Sequence, residues 1–293
     1  MKSTRLPYLL LIPTMAILLL FTVYPLGYSI FLSLHSWDLG APKEMMKWVG
    51  FSNFSRAFTD INFWMSLKNT LIFVVFAVLG EFVLGFSLAL LVVKRKNNPF
   101  ARLITVIRPL ILLPMIVTPV VVGLMWRLLY NYELGMVNYF LGFFGIGPQS
   151  WLTNLKIVLP VVILTDIWEW TPFMFLIFMS GLSALPAAPL ESAKVDGASF
   201  FQVIRHITLP LLSPLILVAV MIRGIDVIRI FDLVYVMTAG GPGNATETMS
   251  LFGYREAFMK SSLGYGSAVA LILTIFVTAA GMFAVRRMYQ EVE

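Results

Sequence analysis

Asp166, Trp168, Glu169 and Trp170 place two carboxylates and two indoles in one turn of an otherwise apolar stretch. A sugar needs groups that bond its hydroxyls and an aromatic face for its C–H surface, and this turn carries both. Close packing between helices is the competing use for such an indole pair. Farther along, Arg223, Asp226, Arg229 and Asp232 recur every three residues with alternating sign. On a helix, successive members of that series are neighbours and can pair. Such a ladder either neutralises itself and braces a bundle, or lines a polar path. Glu81 and Arg108 are further charges in apolar surroundings. A charge at the centre of a bilayer costs a few kcal/mol or more, so these groups should face protein or water. Glu81 reads as a buried polar contact with a neighbouring helix rather than a proton carrier.

The surroundings of these residues set what must position them. Of 293 residues, 59% are hydrophobic and 12% charged, about half the charged share of a soluble domain. That is too little polar surface for water, so the chain uses lipid as part of its solvent. With no cysteine there is no disulfide scaffold, and the composition is neither disordered nor collagenous. Six apolar stretches, 6–34, 67–93, 103–130, 157–180, 211–237 and 264–285, each exceed the roughly 20 residues needed to cross a bilayer. They should be helices, because lipid offers the backbone no partners and the runs do not alternate as barrel strands do. The first is expected to remain in place, being too long for a signal peptide and lacking a small-residue cleavage site. Pro7, Pro13 and Pro25 should bend it or mark its ends.

Charge sets the orientation. Segments 1–5, 94–102, 181–210 and 286–293 hold ten Lys/Arg in 52 residues, including Lys94, Arg95, Lys96, Arg286 and Arg287. The alternate segments 35–66, 131–156 and 238–263 hold six in 84. The bias puts both termini in the cytoplasm, and the net charge of +6 is its surplus rather than a sign of nucleic acid. Trp37, Trp48, Trp64, Tyr130, Tyr132 and Trp151 lie near outer span ends and read as interfacial anchors. His35 and His206 fall in loops and read as solvated.

The segment 185–214, between the fourth and fifth spans, reads as helix, sharp turn, helix. Pro189 can open a short helix with Glu191 in its first turn. Asp196-Gly197 is a turn pair, and Ser199 with Gln202 forms a capping box for the second helix. Phe200, Val203, Ile204 and Ile207 share one side of that helix, and Pro210 and Pro214 should mark where span five begins.

Glu191-x-Ala193-x-x-Asp196-Gly197-Ala198, followed by Phe200, Ile207, Leu209-Pro210 and Pro214, closely resembles the EAA loop of ATP-binding-cassette importer permeases. Ser192 stands where the family often has a second alanine. The likeness continues through Asp166-x-Trp168 and Pro172-Phe173, and through Phe231-Asp232, Thr238, Gly240-Gly241-Pro242-Gly243 and Thr246. Together these resemble the MalF-type subunit of carbohydrate importers, in its compact six-span form, from about residue 6 to 285.

The resemblance implies an all-α membrane protein with the type I importer permease fold: a first helix and external loop (1–66), a five-helix type-1 domain (67–285) and a cytoplasmic tail (286–293). It implies a multi-pass protein of a bacterial or archaeal inner membrane, importing a sugar or related polyol. The loop would couple to a separate ATPase through Glu191, Ala193, Asp196, Gly197, Ala198, Phe200 and Phe201. Gly197 would make the turn, Asp196 and Glu191 polar contacts or caps, and Phe200 and Phe201 the apolar contact. Alignment with the family's sugar-contact regions falls on Asp166, Glu169, Trp170 and Phe173, and on Asp226, Val227 and Ile230. Partners would be a second, MalG-type permease, an ATPase dimer and an external solute-binding protein. ATP and Mg would reside on the ATPase, since the chain has no G-x-x-x-x-G-K-[ST] loop. No cofactor, metal or nucleic acid is expected on the chain itself.

Two other classes compete. An ion-coupled secondary transporter would use Glu81, Asp166 and Asp226 as carriers, but has no use for the 185–214 loop. An intramembrane enzyme would need a catalytic set, and the sequence has no cysteine, H-E-x-x-H or G-x-S-x-G. Acidic residues in the span-four turn favour a neutral sugar, while Arg223 and Arg229 leave a phosphorylated polyol open.

Overall fold

The computed structural model describes residues 6–93 and 101–292. Lys2, Arg5, Lys94, Arg95 and Lys96, which carry much of the charge bias, lie outside the described residues, as does the side chain of Arg287. In chain order the elements are α1 (Leu6–Leu18), α2 (Tyr24–Ser33), β1 (His35–Ser36), β2 (Lys47–Trp48), α3 (Ser52–Thr59), α4 (Ile61–Val92), α5 (Ala101–Ile116), α6 (Pro119–Leu129), α7 (Met136–Gly142), α8 (Val158–Ala184), α9 (Ala187–Val195), α10 (Phe200–Val203), α11 (Leu209–Ile228), α12 (Asp232–Thr238), α13 (Met249–Tyr254) and α14 (Leu263–Val292). Among the described residues, five helical stretches are long and apolar enough to cross a membrane, and α5 with α6 makes a sixth if the bent pair counts as one span.

The expected third span, 103–130, is therefore not one rod. It bends by 100° between Ile116 and Pro119. Pro119 drives Thr118 into extended backbone (φ −69°, ψ 145°), which ends one helix and caps the next. The fifth span also differs. Its helix runs continuously from Phe200 to Ile228, passing through Pro210 and Pro214 instead of starting at them. Pro210 has no N–H to offer the preceding turn, and that turn widens to π geometry over Ile204–Thr208. The same device precedes Pro25, where Leu19–Val23 is a π turn joining α1 to α2. At its far end the helix stops at Arg229, short of the expected 237, and the freed Ile230 carbonyl is taken by the Thr248 hydroxyl at 3.0 Å.

The chain divides into two compact units. One comprises the residues through Trp64 with Met249–Phe276. Its α1–α2 stretch is exposed throughout residues 10–28. Beyond it, β1 and β2 form a two-residue antiparallel pair, a small departure from an all-α chain. His35 sits buried in that pair, not in open solvent, tilted against Phe31 and edged by Trp48, with Nδ1–H donating to the Phe31 carbonyl at 2.7 Å. His206 is exposed.

The second unit, Met65–Thr248 with the residues from Val277 on, carries the candidate site. Along α4 the buried positions include Phe73, Ala77, Glu81, Gly85, Ala89 and Val92, a stripe at helical spacing. Val75, Phe76, Leu79, Val83 and Leu84 are exposed on the other side, as expected of a lipid-facing surface. The stripe contains glycines because α8 lies very close. A Cβ on Gly80 would come within 2.4 Å of Ile167, and one on Gly85 within 2.9 Å of the Phe175 backbone nitrogen. Gly181 plays the same part between α8 and α11, against Leu215 and Leu212. Small residues are how membrane helices approach in the absence of a hydrophobic driving force. Gly85→Val meets backbone that cannot swing aside, and it is expected to destabilise by about 1–3 kcal/mol. Thermal unfolding in detergent checks this, with the exposed Val83→Leu as a control expected to be neutral.

Candidate functional site

The stripe on α4 brings Glu81 against α8 and α11, and the three helices meet around one cation. Arg223 is 2% exposed. Its Nε donates to Glu81 Oε2 at 2.8 Å, Nη2 to Glu81 Oε1 at 2.6 Å and to Asp166 Oδ2 at 2.9 Å, and Nη1 to Asp226 Oδ2 at 2.7 Å. The fork on Glu81 is the bidentate geometry a guanidinium favours. The guanidinium also lies over the Trp170 ring, 4.5 Å from its centroid. The cluster is a brace: Arg223 ties three helices, while Asp226 stands half open beside it. The ladder itself is short. Asp226 reaches Arg229 at 3.8 Å, but the helix ends there and Asp232 opens the next one.

Beside this cluster lies a cavity of about 280 Å³ lined by Pro119, Asp166, Glu169, Trp170, Arg223, Asp226, Val227, Arg229, Ile230, Phe231, Asp232 and Leu233. Six of the seven aligned contact positions are on its wall: Asp166, Glu169, Trp170, Asp226, Val227 and Ile230. Phe173 is not; it lies edge-on to Trp170 with centroids 6.4 Å apart. Asp166 and Glu169 reach the wall together because they stand one turn apart on α8, which remains helical through Pro172. Val227 and Ile230 reach it because the helix breaks just there. Glu169 is 1% exposed, and its Oε2 has no hydrogen-bond partner among the described residues. A buried acceptor left open at a cavity is a place for a ligand hydroxyl. Trp168 turns the other way, its ring 5.4 Å from that of Trp126.

The 185–214 loop is built from local geometry. The first helix begins at Ala187, capped by the extended Pro186, two residues before the expected start, so Glu191 lies beyond its first turn. Pro189 is tolerated there because the first helical N–H groups have no partner in any case. Gly197 adopts φ +73°. Ala198 N–H then bonds the Ala193 carbonyl at 2.9 Å and Gly197 N–H bonds that of Lys194 at 3.2 Å, a Schellman ending. The Ser199–Gln202 capping box starts the next helix. Capping thus falls to Gly197, Ser199 and Gln202 rather than to the side chains of Glu191 and Asp196, which are exposed and form no side-chain bond among the described residues. Ala193 is buried. Val195, Phe200 and Phe201 are exposed at 88, 51 and 79%, a concentration of apolar surface at a loop tip. Beneath it, Leu90, Leu182, Leu185, Leu190, Lys194, Val203 and Ile204 enclose a second, mostly apolar hollow of about 290 Å³.

Sequence reasoning did not find the link from Glu81 to Arg223, which joins residues 142 positions apart. Nor did it find that Tyr130, Tyr132 and Trp151 line a further cavity of about 510 Å³ with Arg127, Asn131, Ser150, Thr153 and the turn from Met237 to Pro242.

Residues 81–292 match the family model described as the binding-protein-dependent transport system inner membrane component. A probable ABC transporter permease of Sinorhizobium fredii is 38% identical over 278 residues, covering 95% of this chain and 88% of the relative. The trehalose/maltose transport system permease MalF of Thermococcus litoralis is 34% identical, covering 94% and 91%. The sulfoquinovosyl glycerol permease SmoG of Agrobacterium fabrum is 35% identical, covering 95% and 89%. Among solved structures, a chain of a bacterial ABC transporter that imports the acidic polysaccharide alginate shares the fold, with a TM-score of 0.82 at 24% identity over 99% of this chain and 96% of that one.

Proposed function

The chain belongs to the family of binding-protein-dependent transport system inner-membrane components, and from that membership we propose that it forms half of a path for a neutral, hydroxyl-rich sugar. It is a permease subunit of an ATP-binding-cassette transporter, a membrane protein and not an enzyme. The other half of the path would come from a second permease. Two ATPase subunits, holding ATP and Mg, would take the 185–214 loop, and an external binding protein would deliver substrate. Both termini would then face the cytoplasm.

The observation that carries the sugar reading is the cavity between α8 and α11. It combines an indole face, Trp170, with an unfilled buried acceptor, Glu169. Its charge favours a neutral cargo. Arg223 looks like an anion receptor in the sequence, but it already donates four hydrogen bonds to three carboxylates. Glu169 and Asp232 remain on the wall as acceptors, with Asp226 shared between Arg223 and Arg229. The wall carries four carboxylates against two guanidiniums, of which Arg223 is committed and Arg229 stands 3.8 Å from Asp226, so an anionic sugar would meet an excess of carboxylates, whereas sugar hydroxyls would find partners.

Glu169→Gln breaks no hydrogen bond at Oε2, so the fold should persist. A hydrogen bond contributes about 0.5–1.5 kcal/mol net, so the sugar concentration for half-maximal stimulation of ATP hydrolysis should rise by about two- to tenfold. Trp170→Ala should weaken it further. The assay is the reconstituted complex with binding protein and a panel of neutral and anionic saccharides. Unchanged half-saturation in both variants places the substrate elsewhere, and preferential stimulation by anionic saccharides overturns the neutral-sugar reading.

A further inference from the structure

We propose that the cavity of about 510 Å³ between α6 and the Met237–Pro242 turn is a second carbohydrate subsite, taking an additional ring of a neutral oligosaccharide. This rests on the sugar reading of the inner cavity. The two cavities share the same helix pair. Pro119 of α6 and Leu233 of α12 border the inner one, while Arg127 at the end of α6 and Thr238 at the end of α12 border the outer one. At 1.5 Å per residue the two are about 8–12 Å apart along these helices. The pair is tightly packed, since a Cβ on Gly123 would lie 3.1 Å from Val236, and this fixes the two cavities in register. A series of rings leads from the far side of α8 to the outer cavity: Trp168 to Trp126 at 5.4 Å, Trp126 to Tyr130 at 5.0 Å, and Tyr130 to Trp151 at 5.9 Å.

The outer cavity repeats the chemistry of the inner one. Trp151 and Tyr132 give aromatic surface, and Asn131, Ser150, Thr153 and Thr238 give amide and hydroxyl groups. It is also held in shape before any ligand arrives. Asn138, 7% exposed, accepts from Trp151 Nε1 at 2.8 Å and from the Gln149 backbone N–H at 3.0 Å, and it donates to the carbonyls of Tyr132 at 3.0 Å and Gln149 at 3.1 Å. One buried amide thereby fixes the aromatic wall and the loop that carries it, which lowers the ordering cost of binding. Asn138 is a positioning residue for this subsite.

The test uses the reconstituted transporter with its binding protein and neutral gluco-oligosaccharides of one to four rings. Tyr132→Ala and Trp151→Ala open the wall. Thr153→Trp, from an exposed position, fills the cavity without removing a packed side chain. The expected result is a rise of about tenfold in half-saturation for three- and four-ring saccharides in all three variants, with less than twofold for a single ring. Equal losses for every chain length would mean that this face docks the binding protein, and would overturn the subsite. So would no change at any length. Wild-type complex that responds to no saccharide sinks the sugar reading itself, whereas a normal single-ring response without length dependence sinks only the second subsite.

Discussion

Replacing Arg223 with methionine is expected to destabilise the protein by about 3–5 kcal/mol, the largest effect of any single change considered. The reason lies in what is left behind. Glu81 is fully buried and receives both ends of the guanidinium fork, and Asp166 is nearly as buried. Removing one partner of such a group strands charge in a low-dielectric interior, which costs far more than the pair contributes net. The same reasoning predicts rescue. Arg223→Met combined with Glu81→Met and Asp166→Leu removes the charges together and should restore stability to within about 1 kcal/mol, since apolar replacement of a whole buried ion cluster is often neutral. Thermal unfolding of the purified complex in detergent measures both. A destabilised single variant with no recovery in the triple would mean that the cluster's shape, and not its charge, holds the helices.

Phe201→Asp is expected to leave the stability of the chain unchanged and to abolish most coupling to the ATPase. Phe201 is 79% exposed and packs only edgewise on Phe200, so substitution there should shift folding by no more than about 0.5 kcal/mol. An aromatic anchor at an interface centre typically contributes 2 kcal/mol or more to association, which corresponds to a loss of about 30-fold in affinity for the ATPase. Co-purification of the two subunits and sugar-stimulated ATP hydrolysis report it. Gly197→Asn, by contrast, should be tolerated, because asparagine accepts positive φ better than other side chains. If Phe201→Asp retains full stimulation, the exposed apolar tip faces something other than the ATPase.

What could be read from the sequence divides by range of interaction. The Gly197 turn and the Ser199–Gln202 box were legible because both are complete within a few residues. The grouping of Asp166, Glu169 and Trp170 was legible because helical spacing alone puts them near one another, and the family pattern supplied Asp226, Val227 and Ile230. The partner of Glu81 was not, since nothing local distinguishes Arg223 from other basic residues 142 positions away. The 100° bend at Thr118 left a trace, Pro119, but prolines at 13, 172 and 214 sit within continuous helices, so the residue type alone does not tell a bend from a tolerated proline. Positions 229–231 read as helix by hydropathy. The break depends on Thr248, a later residue that receives the abandoned carbonyl.

The unbroken run from Phe200 to Ile228 has a mechanical consequence. Phe200, at the exposed loop, and Arg223, at the centre of the ion cluster, are 23 residues apart on one rod, a length of about 35 Å. Thrust applied at the exposed loop arrives at the bolt that fastens this rod to its two neighbours. Sliding the rod along its axis therefore shears three interhelical hydrogen bonds at once, two to Glu81 and one to Asp166, so the cluster sets the load at which the rod comes free.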